Sequence, residues 1–120
     1  MTTRGPRPGD ILLVTFPEHD QRGHEQEGFR PALVLAVPPM ARFPVLLVAP
    51  LTSDRGQSWA SAAPDLYPRI PKGVGGLPVN SIVLLDQARS IDAARVRRMQ
   101  GTLDDATFQV TLAQWLSLFR

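Results

Sequence analysis

The chain has 120 residues, 43% of them hydrophobic, a formal net charge of +2 and no cysteine, which allows one packed core and excludes disulfides, zinc knuckles and cysteine nucleophiles. Its two histidines are too few soft ligands for a transition-metal site, so any catalysis falls to carboxylates, hydroxyls and guanidinium groups. The opening MTTRGPRPGD has no apolar stretch of a signal peptide, and no apolar run approaches the roughly 20 residues of a bilayer span, so a cytoplasmic single domain over residues 1–120 is expected.

Twelve prolines and nine glycines, spread along the chain, point to many short strands joined by turns. Residues 10–16 (DILLVTF) form an apolar run with Pro8-Gly9 before it and Pro17 after it, the pattern of a strand buried on both faces. Residues 30–37 (RPALVLAV) and 44–50 (PVLLVAP) repeat it. Weaker strands are expected at 67–70, 81–85 and 88–91. Asp92 is read as the cap of one further helical turn over 92–98 (DAARVRR). Thr102-Leu-Asp-Asp105 has the form of a capping box with an acidic residue in fourth place, so a terminal helix is expected to start there. Behind it Phe108, Leu112, Trp115, Leu116 and Phe119 recur at intervals of three and four, a stripe to be laid on the sheet. Strands this short, with little room for crossover helices, predict a small, mostly antiparallel, barrel-like sheet with a C-terminal helix.

Residues 17–29 (PEHDQRGHEQEGF) are a polar connection near the length at which a loop is often functional. Arg30 follows, and because Pro31 restricts its backbone to extended conformations it has a defined direction at the mouth of the second strand. Pro50-Leu-Thr-Ser53 closes the third strand. If strands two and three pair antiparallel, Arg30 and Thr52 lie close together. Twelve of the thirteen cations are arginines, and arginine grips phosphate with a planar fork. The bland reading stands beside this: a loop Glu and a strand-edge Arg often form a surface ion pair, and a Thr after a strand is often a turn residue. Phe29 either stacks a splayed base or plugs the base of the loop. Arg95, Arg97 and Arg98 read as a solvated face.

Four stretches in order, PGDILLVTFP, GHEQEGFRPALVL, PLTS and SIVLLDQARSID, resemble the successive landmarks of MazF/PemK toxins at family-like spacing over nearly the whole chain. The resemblance implies a twisted, SH3-like or CcdB-like barrel with a C-terminal helix. It also implies a homodimer that cuts single-stranded RNA without metal or other cofactor, restrained by a MazE-like antitoxin. The family's catalytic arginine and threonine match Arg30 and Thr52, and Glu25 matches the glutamate that some members carry, with His24 where a serine usually stands. Gln87 matches a position that touches substrate bases in some relatives, and His24, Gln26, Phe29 and Ser53 are the further candidate RNA contacts, with His24 otherwise a solvated loop residue. RNA supplies its own nucleophile, the 2′-hydroxyl, so Glu25 is assigned as base, Arg30 to the phosphorane and leaving group, and Thr52 as a neutral donor. Two rivals share the fold: a CcdB-like gyrase poison and a noncatalytic RNA-binding module. Neither needs the set Glu25, Arg30 and Thr52.

Overall fold

The computed structural model describes residues 4–16, 29–40 and 42–120. Along them run β1 (Asp10–Val14), β2 (Arg30–Ala36), β3 (Val45–Ser53), α1 (Ser58–Ala62), β4 (Arg69–Ile70), β5 (Ser81–Val83), β6 (Arg89–Asp92), β7 (Val96–Thr102) and α2 (Asp105–Ser117). Among the described residues these seven strands form one sheet in the order β4-β5-β3-β2-β1-β7, with β6 on β3. Every pairing is antiparallel. β7 pairs with β1 and β6 with β3, and no ladder joins β6 to β7 among the described residues, so the sheet is twisted and barrel-like without closing.

β3 changes partner along its length. Residues 45–48 pair with β6 and residues 51–53 with β5. Pro50 falls in the gap between the two ladders, where a missing N–H breaks no bond to either outer strand. Its carbonyl accepts from the Leu84 backbone N–H at 2.9 Å. Alternation along the central strands sorts the core into two faces. Leu33 and Leu35 pack with Ile11, Leu51 and Phe108, whereas Ala32 and Val34 pack with Leu12, Val14, Val48 and Ile91.

Three expectations need correction. The turn over 92–98 is only a 3-10 turn, Ala93–Arg95, although Asp92 does cap it, its Oδ1 accepting from the Ala94 backbone N–H at 2.8 Å. Residues from Val96 onward form β7 instead, an exposed edge strand whose charged residues disguise it. The cap of α2 is Asp104, which accepts from the Thr107 backbone N–H at 2.9 Å, because the Thr102 hydroxyl is committed to Asp10. Of the apolar stripe, Phe108, Leu112 and Trp115 pack on the sheet while Leu116 and Phe119 are exposed. Leu116 is rotated about 80° from Phe108 around the helix, and Phe119 lies past the end of α2.

Asp10 is fully buried and ties three segments together. Its carboxylate accepts from Arg4 Nη1 and Nη2 at 2.8 and 2.9 Å, from the Arg7 backbone N–H at 2.8 Å and from the Thr102 hydroxyl at 2.9 Å. Burial pushes the carboxyl pKa up, but the bonds from Arg4, Arg7 and Thr102 outweigh it and hold the group below the usual carboxylate range. A depressed folded-state pKa stabilises the fold above the unfolded value of about 3.9 and ceases to do so as pH falls through the folded value. Asp10→Asn is therefore expected to lower stability by about 2 kcal/mol at neutral pH. In urea titrations the gap between variant and parent should narrow below about pH 4; a gap independent of pH would contradict this account.

Candidate functional site

The end of β1 opposite Asp10 carries a different chemistry. Arg30 opens β2 in the extended conformation that Pro31 requires, paired with the buried Val14 of β1. On the other side Ala32 pairs with Pro50, and two further steps in that register put Arg30 opposite Thr52. Opposed residues in an antiparallel ladder project from the same face. The two side chains accordingly line the same cavities. Both are half-buried, and burial lowers the Arg30 pKa from its ordinary value by disfavouring the charged form.

Two cavities share this pair. One, of about 330 Å³, is walled by Trp59, Tyr67, Leu84 and Gln87 together with Arg30 and Thr52. Trp59 stands on α1, held down by the buried Ala60 beneath Ile82 and Leu84. Its ring meets that of Tyr67 edge-on, with centroids 4.9 Å apart and planes at 77°. The Tyr67 hydroxyl donates to Asp86 Oδ2 at 2.6 Å, which raises the phenol pKa and fixes the ring. The second cavity, of about 230 Å³, extends the other way and includes Phe29, Ser53, Arg55, Leu77 and Val79 beside the same Arg30 and Thr52. A close approach of backbones fixes this wall: a side chain on Gly76 would collide with the Gln100 carbonyl, and one on Gly101 with the Gly75 carbonyl. Only glycine lets the 3-10 turn Val74–Gly76 lie against β7 and present residues 77–79.

Of the residues read from sequence, Arg30, Thr52 and Gln87 converge on the first cavity, and Phe29 and Ser53 join Arg30 and Thr52 in the second. Glu25, His24 and Gln26 lie outside the described residues. The reading of the sequence missed Trp59 and Tyr67, though two aromatics in a polar, turn-rich stretch after PLTS were the available signal. Arg89, within DQARSID, belongs to the same site. That guanidinium lies 4.4 Å over the Phe16 ring, and Arg97 lies 5.0 Å over the Phe29 ring, so each of these two aromatic residues carries a stacked arginine. Burial, then the like charges of Arg30 and Arg95, push the Arg89 pKa below its ordinary value. Cations crowded in this way favour an anion between them, and their planar forks suit phosphate. Among the described residues no three His, Cys, Asp or Glu side chains cluster as metal ligands, and no helix is long and apolar enough to cross a membrane.

Residues 7–118 match the sequence model of the PemK-like, MazF-like toxins of type II toxin-antitoxin systems. No curated protein matches significantly. Among solved structures the chain is similar to MazF (Form-I) from Deinococcus radiodurans, at 25% identity and a TM-score of 0.65 with 98% of each chain covered. It is equally similar to the MazE-MazF complex (Form-II) from the same organism, at 25% identity and 0.65 with 95% of each chain covered. An endoribonuclease in complex with its cognate antitoxin, from a mycobacterial species, shares the fold at 18% identity and 0.61, with 95% of this chain and 97% of that one covered.

The crowding of Arg30, Arg89 and Arg95 generates a prediction about polyanions. For a single-stranded oligonucleotide, log K should fall linearly with log salt, and Arg89→Ala should flatten that slope by about one unit. Fluorescence anisotropy between about 50 and about 200 mM salt measures it; an unchanged slope would put Arg89 outside the path of the anion.

Proposed function

Since the chain belongs to the family of PemK-like, MazF-like toxins of type II toxin-antitoxin systems, we propose that it is a metal-independent endoribonuclease that cuts single-stranded RNA at preferred sequences and so arrests translation and growth. The observation that carries this reading is that the half-buried Arg30 and Thr52, on adjoining strand ends, line the same two cavities. A gyrase poison has no need of such a pair, and no feature of the site favours that reading.

The chemistry needs little from the protein. The substrate's 2′-hydroxyl loses its proton to a base as its oxygen bonds to phosphorus, the bond from phosphorus to the 5′-oxygen breaks, and that oxygen takes up a proton. The products are a 2′,3′-cyclic phosphate, hydrolysed to a 3′-phosphate, and a 5′-hydroxyl. Arg30 binds the non-bridging oxygens and stabilises the negative charge of the phosphorane. Its lowered pKa makes it a readier proton donor to the leaving oxygen, and a guanidinium, protonated at neutral pH, is not suited to be the base. Thr52 donates its hydroxyl to the phosphate. Glu25 is the proposed base, on the strength of its match to the family motif. The same domain acts as a cytoplasmic homodimer, held inactive by an antitoxin that competes with RNA; the solved MazE-MazF complex supports a partner of that kind.

Arg30→Ala and Thr52→Ala should each lower cleavage of a synthetic RNA by about a hundredfold or more, with thermal stability close to the parent because truncation at a strand end opens no large cavity. Glu25→Gln should cost less if water serves in its place. Parent cleavage should persist in EDTA, give 5′-hydroxyl ends and stop when 2′-deoxyribose replaces the ribose at the cut; 5′-phosphate products would sink the mechanism. For assembly, light scattering should report a dimer at micromolar concentration, and added antitoxin should displace bound RNA. A monomer that cuts RNA at full rate, or a complex holding RNA and antitoxin together at this site, would contradict the assembly.

A further inference from the structure

We infer that the two cavities meeting at Arg30 and Thr52 hold the two nucleosides on either side of the scissile phosphate, with the base on one side read by Trp59, Tyr67 and Gln87 and the base on the other by Phe29, Arg55 and Val79. The inference rests on the nuclease reading above and adds to it the form of the substrate: a dinucleotide step straddling the catalytic pair.

The placement comes from what the cavities share. Arg30 and Thr52 are the only residues common to the two linings among the described residues, so they form the divide between them. A phosphate gripped at that divide sends one nucleoside into each space. The cavities then differ in what they offer a base. In the first, Trp59 is 45% exposed and its ring meets that of Tyr67 edge-on, so its remaining face is free to take a stacked ring. The Tyr67 bond to Asp86 holds that wall in place, making Asp86 a positioning residue. Gln87, beside it, carries an amide with both donors and an acceptor, able to read the hydrogen-bonding edge of the base.

The second cavity has no tyrosine-tryptophan wall. It offers the 48% exposed Phe29 ring, the exposed Val79 side chain and the Arg55 guanidinium. The Phe29 ring is already stacked beneath Arg97. A base entering here meets one aromatic ring, a branched aliphatic group and a cation. Discrimination on this side therefore comes from apolar contact and charge more than from a hydrogen-bonded edge.

Cleavage-site maps on a long transcript test the assignment. Trp59→Ala should relax base preference at the nucleotide on one side of the cut and weaken cleavage there about tenfold, with Trp59→Phe restoring most of it. Arg55→Ala and Val79→Ala should alter preference on the opposite side only. Changes on the same side in both sets, or an unaltered map in Trp59→Ala, would overturn the assignment. A binding measurement separates this from the nuclease reading. In a Trp115→Phe background, where Trp59 is the only tryptophan, a 2′-deoxy oligonucleotide that cannot be cut should quench the fluorescence. An abasic residue on one side of the blocked sugar should abolish the quench and on the other leave it. A parent that cuts no RNA defeats the nuclease reading, and the quench then still decides the base cavity; absence of quench in a protein that does cut overturns the cavity alone.

Discussion

The register of β2 against β3, with Ala32 opposite Pro50, is the constraint on which the site depends. Side chains alternate with a period of two, so a slip of one residue would turn Arg30 and Thr52 to opposite faces and would also exchange the core residues of β2 between the two faces, disrupting the packing on both. The alternation that buries Leu33 on one face and Val34 on the other therefore fixes the placement of Arg30 and Thr52 as well. Pro50 reinforces this by falling where β3 exchanges β6 for β5, so that the strand serves two ladders without an unmet N–H between them.

The two ends of β1 show how burial and charge are separated. At Asp10 a buried carboxylate is surrounded by donors from Arg4, Arg7 and Thr102, and the charge is fully met within the chain. Four residues on, about 13 Å along the strand, Val14 adjoins Arg30, and there the arginines accumulate: Arg89 senses both Arg30 and Arg95. The first arrangement locks the N-terminal segment to β1 and β7. At the second, no ion pair meets these arginines among the described residues, which is an electrostatic condition suited to gripping phosphate.

The sequence made some of this legible and hid the rest for physical reasons. The central strands were readable because burial on both faces leaves continuous apolar runs, and β1, β2 and β3 each start within one residue of the expected position. The proximity of Arg30 to Thr52 followed from Pro31 and antiparallel pairing alone. β7 was hidden because an edge strand with one partner needs no apolar alternation, and Val96-Arg-Arg-Met reads as the continuation of a capped turn. Trp59 and Tyr67 were hidden because they come together across eight residues through a one-turn helix that buries only Ala60. The cap of α2 shifted from Thr102 to Asp104 through a bond to a residue 92 positions away, which no local pattern encodes.

The central claim is that Arg30 and Thr52 act as one unit on one phosphate because the register makes them neighbours. A double-mutant cycle on single-turnover RNA cleavage tests it most directly. Residues that work together are strongly non-additive, so Arg30→Ala/Thr52→Ala should be little slower than the worse of the two single variants. Losses that multiply, as they do for sites that act independently, would contradict the account.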